Sequence, residues 1–178
     1  KATIVKKYFK EVNYMHREEI KQREDTFFIN YTLVGEVDKK NSVSATVNNL
    51  VKRIVDEKHL DEYLIRELST HYIREKQMVS VEIDYYKFNP EELKAKPVEE
   101  QIHTVLIQMG YSESAIHRIE YRKFWSNWDD KVWVAEVYDE NYKEALNEPD
   151  SYSASEVSGS LMGTAEKALG FTLYFDFY

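Results

Sequence analysis

Two carboxylates and a lysine are the closest that this sequence comes to a metal-dependent active site. Glu82 and Asp84 are two positions apart in a segment that alternates like a β-strand, and Lys87 follows them. Side chains two apart share one face of a strand, so two carboxylates can bind one Mg²⁺ while a lysine holds a phosphate. The order and spacing differ from those of metal-dependent nucleases. A metal-dependent nuclease or other phosphodiesterase is therefore an alternative hypothesis and not the leading one.

Other patterns that mark catalysis or cofactor binding are missing from the sequence. None of the five histidines stands two or four positions from another, the spacing at which one strand or helix presents two metal ligands. The chain has no cysteine, and Gly159 and Gly163 are not followed by the lysine and hydroxyl residue of a phosphate-binding loop. The sequence thus predicts neither a metal site nor a cofactor, and it favours a protein that is not an enzyme.

Three tryptophans crowd one predicted hairpin. Trp125, Trp128 and Trp133 are interleaved there with acidic residues. Large aromatic side chains anchor protein partners because they bury much area at a small cost in conformational entropy. The alternative is that Trp125 and Trp133 only cover the sheet. Trp128 stands beside Asp129 and Asp130 in the predicted turn, where burial is hardest to arrange, so it is the stronger anchor candidate.

The excess of acidic residues is confined to the C-terminal half. The formal net charge is −8; residues 1–89 contain 16 Lys and Arg against 15 Asp and Glu, whereas residues 90–178 contain 8 against 17. Nucleic-acid affinity comes largely from Lys and Arg at phosphates, so direct DNA or RNA binding by the C-terminal half is not expected. The same charge attracts a basic surface on another protein, although it also serves solubility.

The N-terminal part predicts a strand followed by two helices. Residues 26–37 alternate apolar and polar side chains, as in a strand with one buried face. A helix with Ser42 or Ser44 as its N-cap should end near His59, and apolar residues spaced by four predict a second helix over 61–76. We expect this helical hairpin to pack on a sheet.

From Met78 onward the pattern predicts the element order β-α-β-β-α-β. Strands are expected over 78–88, 116–125, 131–139 and 171–178, and helices from Pro97 to Gly110 and from Ser151 to Leu169. This is the ferredoxin-like order, an antiparallel sheet with both helices on one face. The predicted fold class is α+β, with a ferredoxin-like domain over 78–178. Residues 1–77 form a preceding β and helical-hairpin segment, either separate or part of the same domain.

The composition and the absence of long apolar runs predict a soluble protein. Hydrophobic residues make up 43% and charged residues 31% of the chain, which is typical of a globular protein with a core. No apolar run approaches the ~20 residues that span a bilayer, and no secretory signal is recognised. We therefore expect a cytoplasmic protein without membrane contact, and the oligomeric state stays open.

The leading hypothesis combines the charge, the aromatic hairpin and the missing catalytic motifs. We expect a non-enzymatic acidic binding protein that inhibits a nucleic-acid-processing enzyme by occupying its basic surface. Phage or mobile-element counter-defence proteins, anti-CRISPR-like proteins and nucleic-acid mimics act in this way. The partner-binding candidates are Trp125, Trp128, Asp129, Asp130, Glu136, Asp139, Glu140, Glu144, Glu148 and Asp150. A third hypothesis is a structural or assembly subunit that self-associates through exposed sheet edges.

Overall fold

The chain forms two compact units, each with its own sheet. The computed structural model describes residues 18–37, 39–148 and 152–178. The first unit is Lys1–Tyr86 and the second is Lys87–Tyr178. Both combine helices with strands, so the predicted α+β class is confirmed at this level. Among the described residues, no helix has the length and apolar character needed to cross a membrane.

The first unit is a four-stranded antiparallel sheet with one long helix. Its elements are β1 (Lys21–Glu24), β2 (Phe28–Glu36), α1 (Val43–Lys58), β3 (Ile65–Ile73) and β4 (Met78–Tyr86). The strands lie in the order β1-β2-β4-β3, so β1 and β3 form the two edges of the described sheet. Short 3₁₀ turns flank β3 at Glu62–Leu64 and Arg74–Lys76.

Alternation along β2 and β4 produces one buried side of this first sheet. Leu33 of β2 and Ile83 of β4 are fully buried, and they belong to one cluster with Ile54 of α1. Burying such a side chain contributes roughly 1.5–3 kcal/mol, so this cluster is the main source of the unit's stability. The Ser42 Oγ accepts a hydrogen bond from the Ala45 N–H at 3.1 Å, which confirms Ser42 as the N-cap of α1.

The prediction of a second helix over 61–76 is wrong. The segment Ile65–Ile73 is β3, and it pairs antiparallel with β4. The helix prediction rests on Leu64, Leu68 and Tyr72, and residues four apart share a face in a strand as well as in a helix. Two further observations favour the strand: the segment contains β-branched residues, and β4 offers it a full ladder of backbone partners.

The strand predicted at the start of the ferredoxin-like segment is present, but it belongs to the first sheet. It is β4, which lies between β2 and β3 and is antiparallel to both. The ferredoxin-like topology over 78–178 is therefore not confirmed, because its first strand pairs with the N-terminal segment. The physical reason is burial: Val79, Val81 and Ile83 complete the cluster beneath α1.

The second unit combines three strands with four helices in its described residues. Its elements are α2 (Pro90–Lys94), α3 (Val98–Gln108), β5 (Ile116–Arg122), β6 (Val132–Val137), α4 (Glu140–Leu146), α5 (Tyr152–Leu169) and β7 (Leu173–Phe177). β6 is central, antiparallel to β5 and parallel to β7. The helix after Pro97, the hairpin, the last helix and the last strand are confirmed, whereas α2 and α4 lie outside the predicted elements.

Candidate functional site

A groove in the second unit is lined almost wholly by aromatic and apolar side chains. Its volume is about 680 Å³, and its walls come from the β5–β6 loop, α4, α5 and β7. The lining residues are Phe124, Trp125, Trp128, Tyr142, Leu146, Ala154, Ser155, Ser158, Met162, Tyr174, Phe175 and Phe177. We call this surface the aromatic groove. None of these side chains carries a charge, so the groove offers apolar contact area and a few hydroxyl groups.

Ring contacts hold the tryptophans of the β5–β6 loop. The ring centroid of Phe124 lies 4.9 Å from that of Trp125 and 5.3 Å from that of Tyr174. The Trp128 ring centroid lies 5.2 Å from that of Trp125 and 5.4 Å from that of Tyr174, both edge to face. The backbone N–H of Trp128 donates to the backbone carbonyl of Trp125 at 3.0 Å. Aromatic pairs of this kind contribute about 0.5–1.5 kcal/mol each, so the loop is ordered by its own rings.

Two large side chains of the aromatic groove remain exposed to solvent. Trp125 is 59% exposed and Leu146 is 57% exposed. Apolar surface left in water gains free energy when a partner covers it, and adjoining exposed apolar side chains mark interaction sites. The α4 wall is firm, because Tyr142 stacks on Phe177 with ring centroids 3.9 Å apart and planes 16° apart. The walls of the groove are thus held by ring contacts, while Trp125 and Leu146 at its rims stay exposed to solvent.

The acids of α4 lie on the other side of that helix from the aromatic groove. Tyr142 and Leu146 are four positions apart and line the groove. Glu140 and Glu144 are each two positions from Tyr142, which is about 200° around a helix. Both glutamates are exposed. The structure therefore separates the acids of α4 from the aromatic surface, whereas the sequence expectation grouped them.

Three further acidic candidates lie near the ends of the groove-forming elements. Asp129 and Asp130 are exposed and directly follow Trp128 in the β5–β6 loop. Glu148 is exposed beyond the end of α4 and accepts a hydrogen bond from the Ser153 hydroxyl at 3.0 Å. The remaining candidate, Asp150, lies outside the described residues.

Asp139 has a structural role. Its Oδ1 accepts the Tyr142 N–H at 2.9 Å and so caps α4, and its Oδ2 accepts the Tyr111 hydroxyl at 2.5 Å. Burial, followed by this hydrogen bond, raises the pKa of the Tyr111 hydroxyl well above its ordinary value. Both carboxylate oxygens of Asp139 are engaged inside the unit, so a partner would compete with the helix cap for them.

Glu136 belongs to a set of alternating charges on one side of the second sheet. Arg118 lies 3.7 Å from Glu136 and 3.5 Å from Glu120. Arg122 lies 3.5 Å from Glu120 and 2.9 Å from Asp176. Partly exposed pairs of this kind contribute only about 0–1 kcal/mol each to stability. Their effect here is to neutralise Glu136 locally, which weakens its attraction for a basic partner.

The carboxylates of the nuclease hypothesis share one amide in the first unit. The Asn30 Nδ2 donates to Glu82 Oε1 at 2.8 Å and to Asp84 Oδ1 at 2.6 Å, on the side of the sheet opposite α1. Among the described residues, no group of three or more His, Asp or Glu side chains is arranged to hold a metal ion. The two carboxylates on which the nuclease hypothesis depends are therefore already bridged by the Asn30 amide.

Of the twelve described residues that line the aromatic groove, the sequence predicted only Trp125 and Trp128 as partner-binding candidates. Tyr142, Leu146 and Met162 come from helices, and Tyr174 and Phe177 come from the last strand. The available signal was the four-residue spacing of Tyr142 and Leu146, together with their closeness in sequence to the acidic candidates. That signal shows a shared helix face. It does not show that this face meets the tryptophan loop.

No protein-family model, no curated protein and no solved structure matches the chain. Its function therefore has to be inferred from the chemistry of the surfaces described above.

Proposed function

We propose that the chain is a non-enzymatic binding protein that anchors a basic protein partner in the aromatic groove. The observation that carries the proposal is the exposure of Trp125 and Leu146 on the rims of a groove of about 680 Å³. In its more specific form, the partner is a nucleic-acid-processing enzyme, and this chain inhibits it by occupying the basic surface that receives phosphates.

Apolar contact supplies the binding free energy in this proposal. Trp and Tyr are enriched among the residues that dominate protein interfaces, and the groove contributes both types. Covering the exposed rim residue Trp125 contributes on the order of 1.5–3 kcal/mol if burial is complete. The matching partner feature is an apolar or aromatic side chain that enters between the loop wall and the α4 wall.

Acidic side chains outside the groove supply selection and steering. Glu140 and Glu144 lie on the outer side of the α4 wall, and Asp129 and Asp130 lie in the loop that forms the opposite wall. Opposite charge raises the association rate of a basic partner, while the same acids repel nucleic acid itself. A surface built to receive phosphates carries the complementary charge, which supports the inhibitor form of the proposal.

The chemistry of the groove favours binding over catalysis. The described lining residues include no His, Asp, Glu, Lys or Arg, and their hydroxyl groups belong to Ser155, Ser158, Tyr142 and Tyr174. An activated serine needs a general base within hydrogen-bond reach, most often a histidine or a carboxylate. The described lining provides no histidine, carboxylate or amine, which supports a role in recognition.

Parallel capture columns test the proposal. The full chain and its Trp125→Ala and Tyr63→Ala variants are immobilised, and bacterial lysate treated with DNase and RNase is passed over each at ~150 mM salt. Tyr63 is 68% exposed in the first unit, so Tyr63→Ala controls for loss of an exposed aromatic ring. We expect the full chain and Tyr63→Ala to retain one nucleic-acid-processing enzyme, and Trp125→Ala to retain about tenfold less of it.

The captured enzyme is then purified and assayed with added full chain. Stoichiometric inhibition that Trp125→Ala relieves supports the specific form of the proposal. Equal retention on all three columns contradicts the groove as the anchor. If the enzyme is retained but not inhibited, the result supports a binding protein and contradicts its role as an inhibitor.

The steering acids are tested by neutralisation. Replacing Glu140, Glu144, Asp129 and Asp130 by their amides should slow association and flatten its dependence on salt, while dissociation changes little. The matched control replaces Glu99 and Glu100, exposed acids of α3 in the same unit, by Gln. An unchanged salt dependence in the four-residue variant contradicts electrostatic steering by these acids.

A further inference from the structure

β3 forms one edge of the sheet in the first unit, in the part of the chain that the structure describes. We propose that it pairs antiparallel with β3 of a second copy of this chain. β3 stands last in the order β1-β2-β4-β3, so in the described part of the chain one edge of this nine-residue strand has no neighbour. The proposal goes beyond the proposed function, because it concerns another unit and another partner.

The two edges of the first sheet differ in their protection. β1 has four residues, Lys-Gln-Arg-Glu, all exposed, and a short charged strand resists pairing with another chain. β3 has nine residues and exposes Leu68 at 48% and Tyr72 at 39%, although their neighbours Ile83 and Val79 in β4 are fully buried. A long edge with exposed apolar side chains favours addition of a strand.

Two copies of β3 place complementary side chains opposite each other when they pair antiparallel. A two-fold axis perpendicular to the sheet keeps each face on its own side, so one residue of β3 must stand opposite its own copy. With Ser69 at that position, Glu67 of each copy stands opposite His71 of the other. Leu68 of each copy then stands opposite Thr70 of the other, with Tyr72 diagonal to it.

This register improves the contacts on both sides of the sheet. Glu67 stands opposite Asp84 within the unit, so two carboxylates adjoin there, and His71 of the second copy brings a hydrogen-bond donor to them. On the side facing α1, Leu68 and Tyr72 of the two copies cover one another. A centre at Thr70 would instead place Glu67 opposite the apolar Ile73, so the pairing centred on Ser69 is the more favourable one.

Disulfide trapping tests the register in the full chain. The sequence has no cysteine, so a single introduced thiol reports only on its own copy. Directly opposed residues have Cα atoms about 4.5–5.5 Å apart, which a disulfide can span, so Ser69→Cys should form a covalent dimer on mild oxidation. Thr70→Cys is the matched control. It lies diagonal to its copy, about 7–8 Å away, and should crosslink at least tenfold less.

Sedimentation velocity over a series of concentrations tests the association itself. The unaltered chain should pass from monomer to dimer as concentration rises. His71→Glu places two carboxylates opposite each other twice in the dimer and should weaken it about tenfold. The double variant Glu67→Lys with His71→Glu restores opposite charges and should recover the dimer. This recovery also shows that the single variant weakened the interface and not the fold.

Three outcomes would overturn the proposal. The first is a chain that stays monomeric at every concentration. The second is a dimer that His71→Glu does not weaken, and the third is crosslinking of Thr70→Cys ahead of Ser69→Cys. None of these measurements involves the aromatic groove, so their failure leaves the proposed function standing.

Discussion

The first unit packs an aliphatic cluster under one helix, whereas the second unit also forms an aromatic groove. In the first unit, Leu33, Ile54 and Ile83 are fully buried between α1 and one side of the sheet. In the second unit, Trp125 and Leu146 stay exposed beside the aromatic groove. Both units have a buried core and some exposed large side chains, such as Tyr63 in the first unit, so the contrast lies in the groove. Branched aliphatic side chains fill the space under one helix, whereas rings from a loop, a helix and a strand line an open groove in the second unit.

The largest expected effect is in the aliphatic core. Ile54→Ala should lower the free energy of unfolding by about 2–5 kcal/mol, because it removes buried methyl groups and leaves a cavity. The measurement is urea unfolding followed by far-ultraviolet circular dichroism. The half-buried neighbour Val55, replaced by Ala, is the control and should cost less. Equal costs at the two positions would contradict the assignment of Ile54 to the core.

The second prediction concerns Tyr111, the half-buried tyrosine that donates a hydrogen bond to the α4 cap Asp139. Tyr111→Phe removes the hydrogen bond to Asp139 and should cost about 1–2 kcal/mol near neutral pH. The pKa of the Tyr111 hydroxyl is raised above the ordinary value of 10.0, so the folded chain keeps this proton after the unfolded chain has lost it. The contribution of the protonated Tyr111 hydroxyl to the free energy of unfolding is therefore complete below pH 10.0 and is lost as the pH rises further.

The pH dependence of unfolding separates this group from the other tyrosines. Urea unfolding followed by tryptophan fluorescence, at several pH values on both sides of 10.0, should show a steeper loss of stability in the unaltered chain than in Tyr111→Phe. All three tryptophans lie in the second unit, so the signal reports on that unit. Parallel curves would show that the hydroxyl of Tyr111 ionises alike in the folded and unfolded chain.

A smaller effect is expected where one amide bridges two acids. Asn30→Ala removes the donor shared by Glu82 and Asp84 and should cost about 1 kcal/mol. Asn30→Asp should cost more, because it adds a third carboxylate at the same place. Since these groups are partly exposed, high salt should narrow the difference between the two variants. Urea unfolding at low and high salt measures the difference in the free energy of unfolding between the two variants. A difference that does not change with salt would argue against electrostatic repulsion.

The smallest effect on stability is expected at the exposed tryptophan. Trp125→Ala should lower the free energy of unfolding by no more than about 1 kcal/mol, because the ring contacts with Phe124 and Trp128 are lost but most of the ring is already in water. Its effect on partner retention should be the largest of any single groove residue. This combination sharpens the contrast between the units. A loss of stability as large as that of Ile54→Ala would place Trp125 in a core and not on a binding surface.

Local signals predicted much of the fold and failed where they were ambiguous. The cap at Ser42 and the alternation of β2 were predicted correctly, because each depends on residues adjacent in sequence. The helix over 61–76 was wrong because a four-residue spacing fits both a helix and a strand. The β-branched residues of this segment favour a strand only weakly, and it is the ladder of backbone partners in β4 that decides between the two structures.

The candidate site divides in the same way. Trp125 and Trp128 line the aromatic groove, but the sequence favoured Trp128 as the anchor, whereas the structure leaves Trp125 59% exposed and half-buries Trp128. Asp139 belonged to the same predicted surface, but its carboxylate caps α4 and accepts the Tyr111 hydroxyl. Glu136 is likewise paired with Arg118 across the second sheet. Whether an acid is free for a partner depends on neighbours far away in sequence, which composition does not reveal.

The sequence by itself determined the helix cap, the alternation of the strands, the clustering of tryptophans and the excess of acid in the C-terminal half. These properties arise from residues close together along the chain, or from simple counts of charge. Only the tertiary structure decided that β4 joins the first sheet, that Tyr142 and Tyr174 line one groove with the tryptophan loop, and that β3 lies at an edge of the sheet that the described residues form. The physical reason is that strand pairing and burial join distant segments, and the choice among partners depends on the free energy of the whole packed unit.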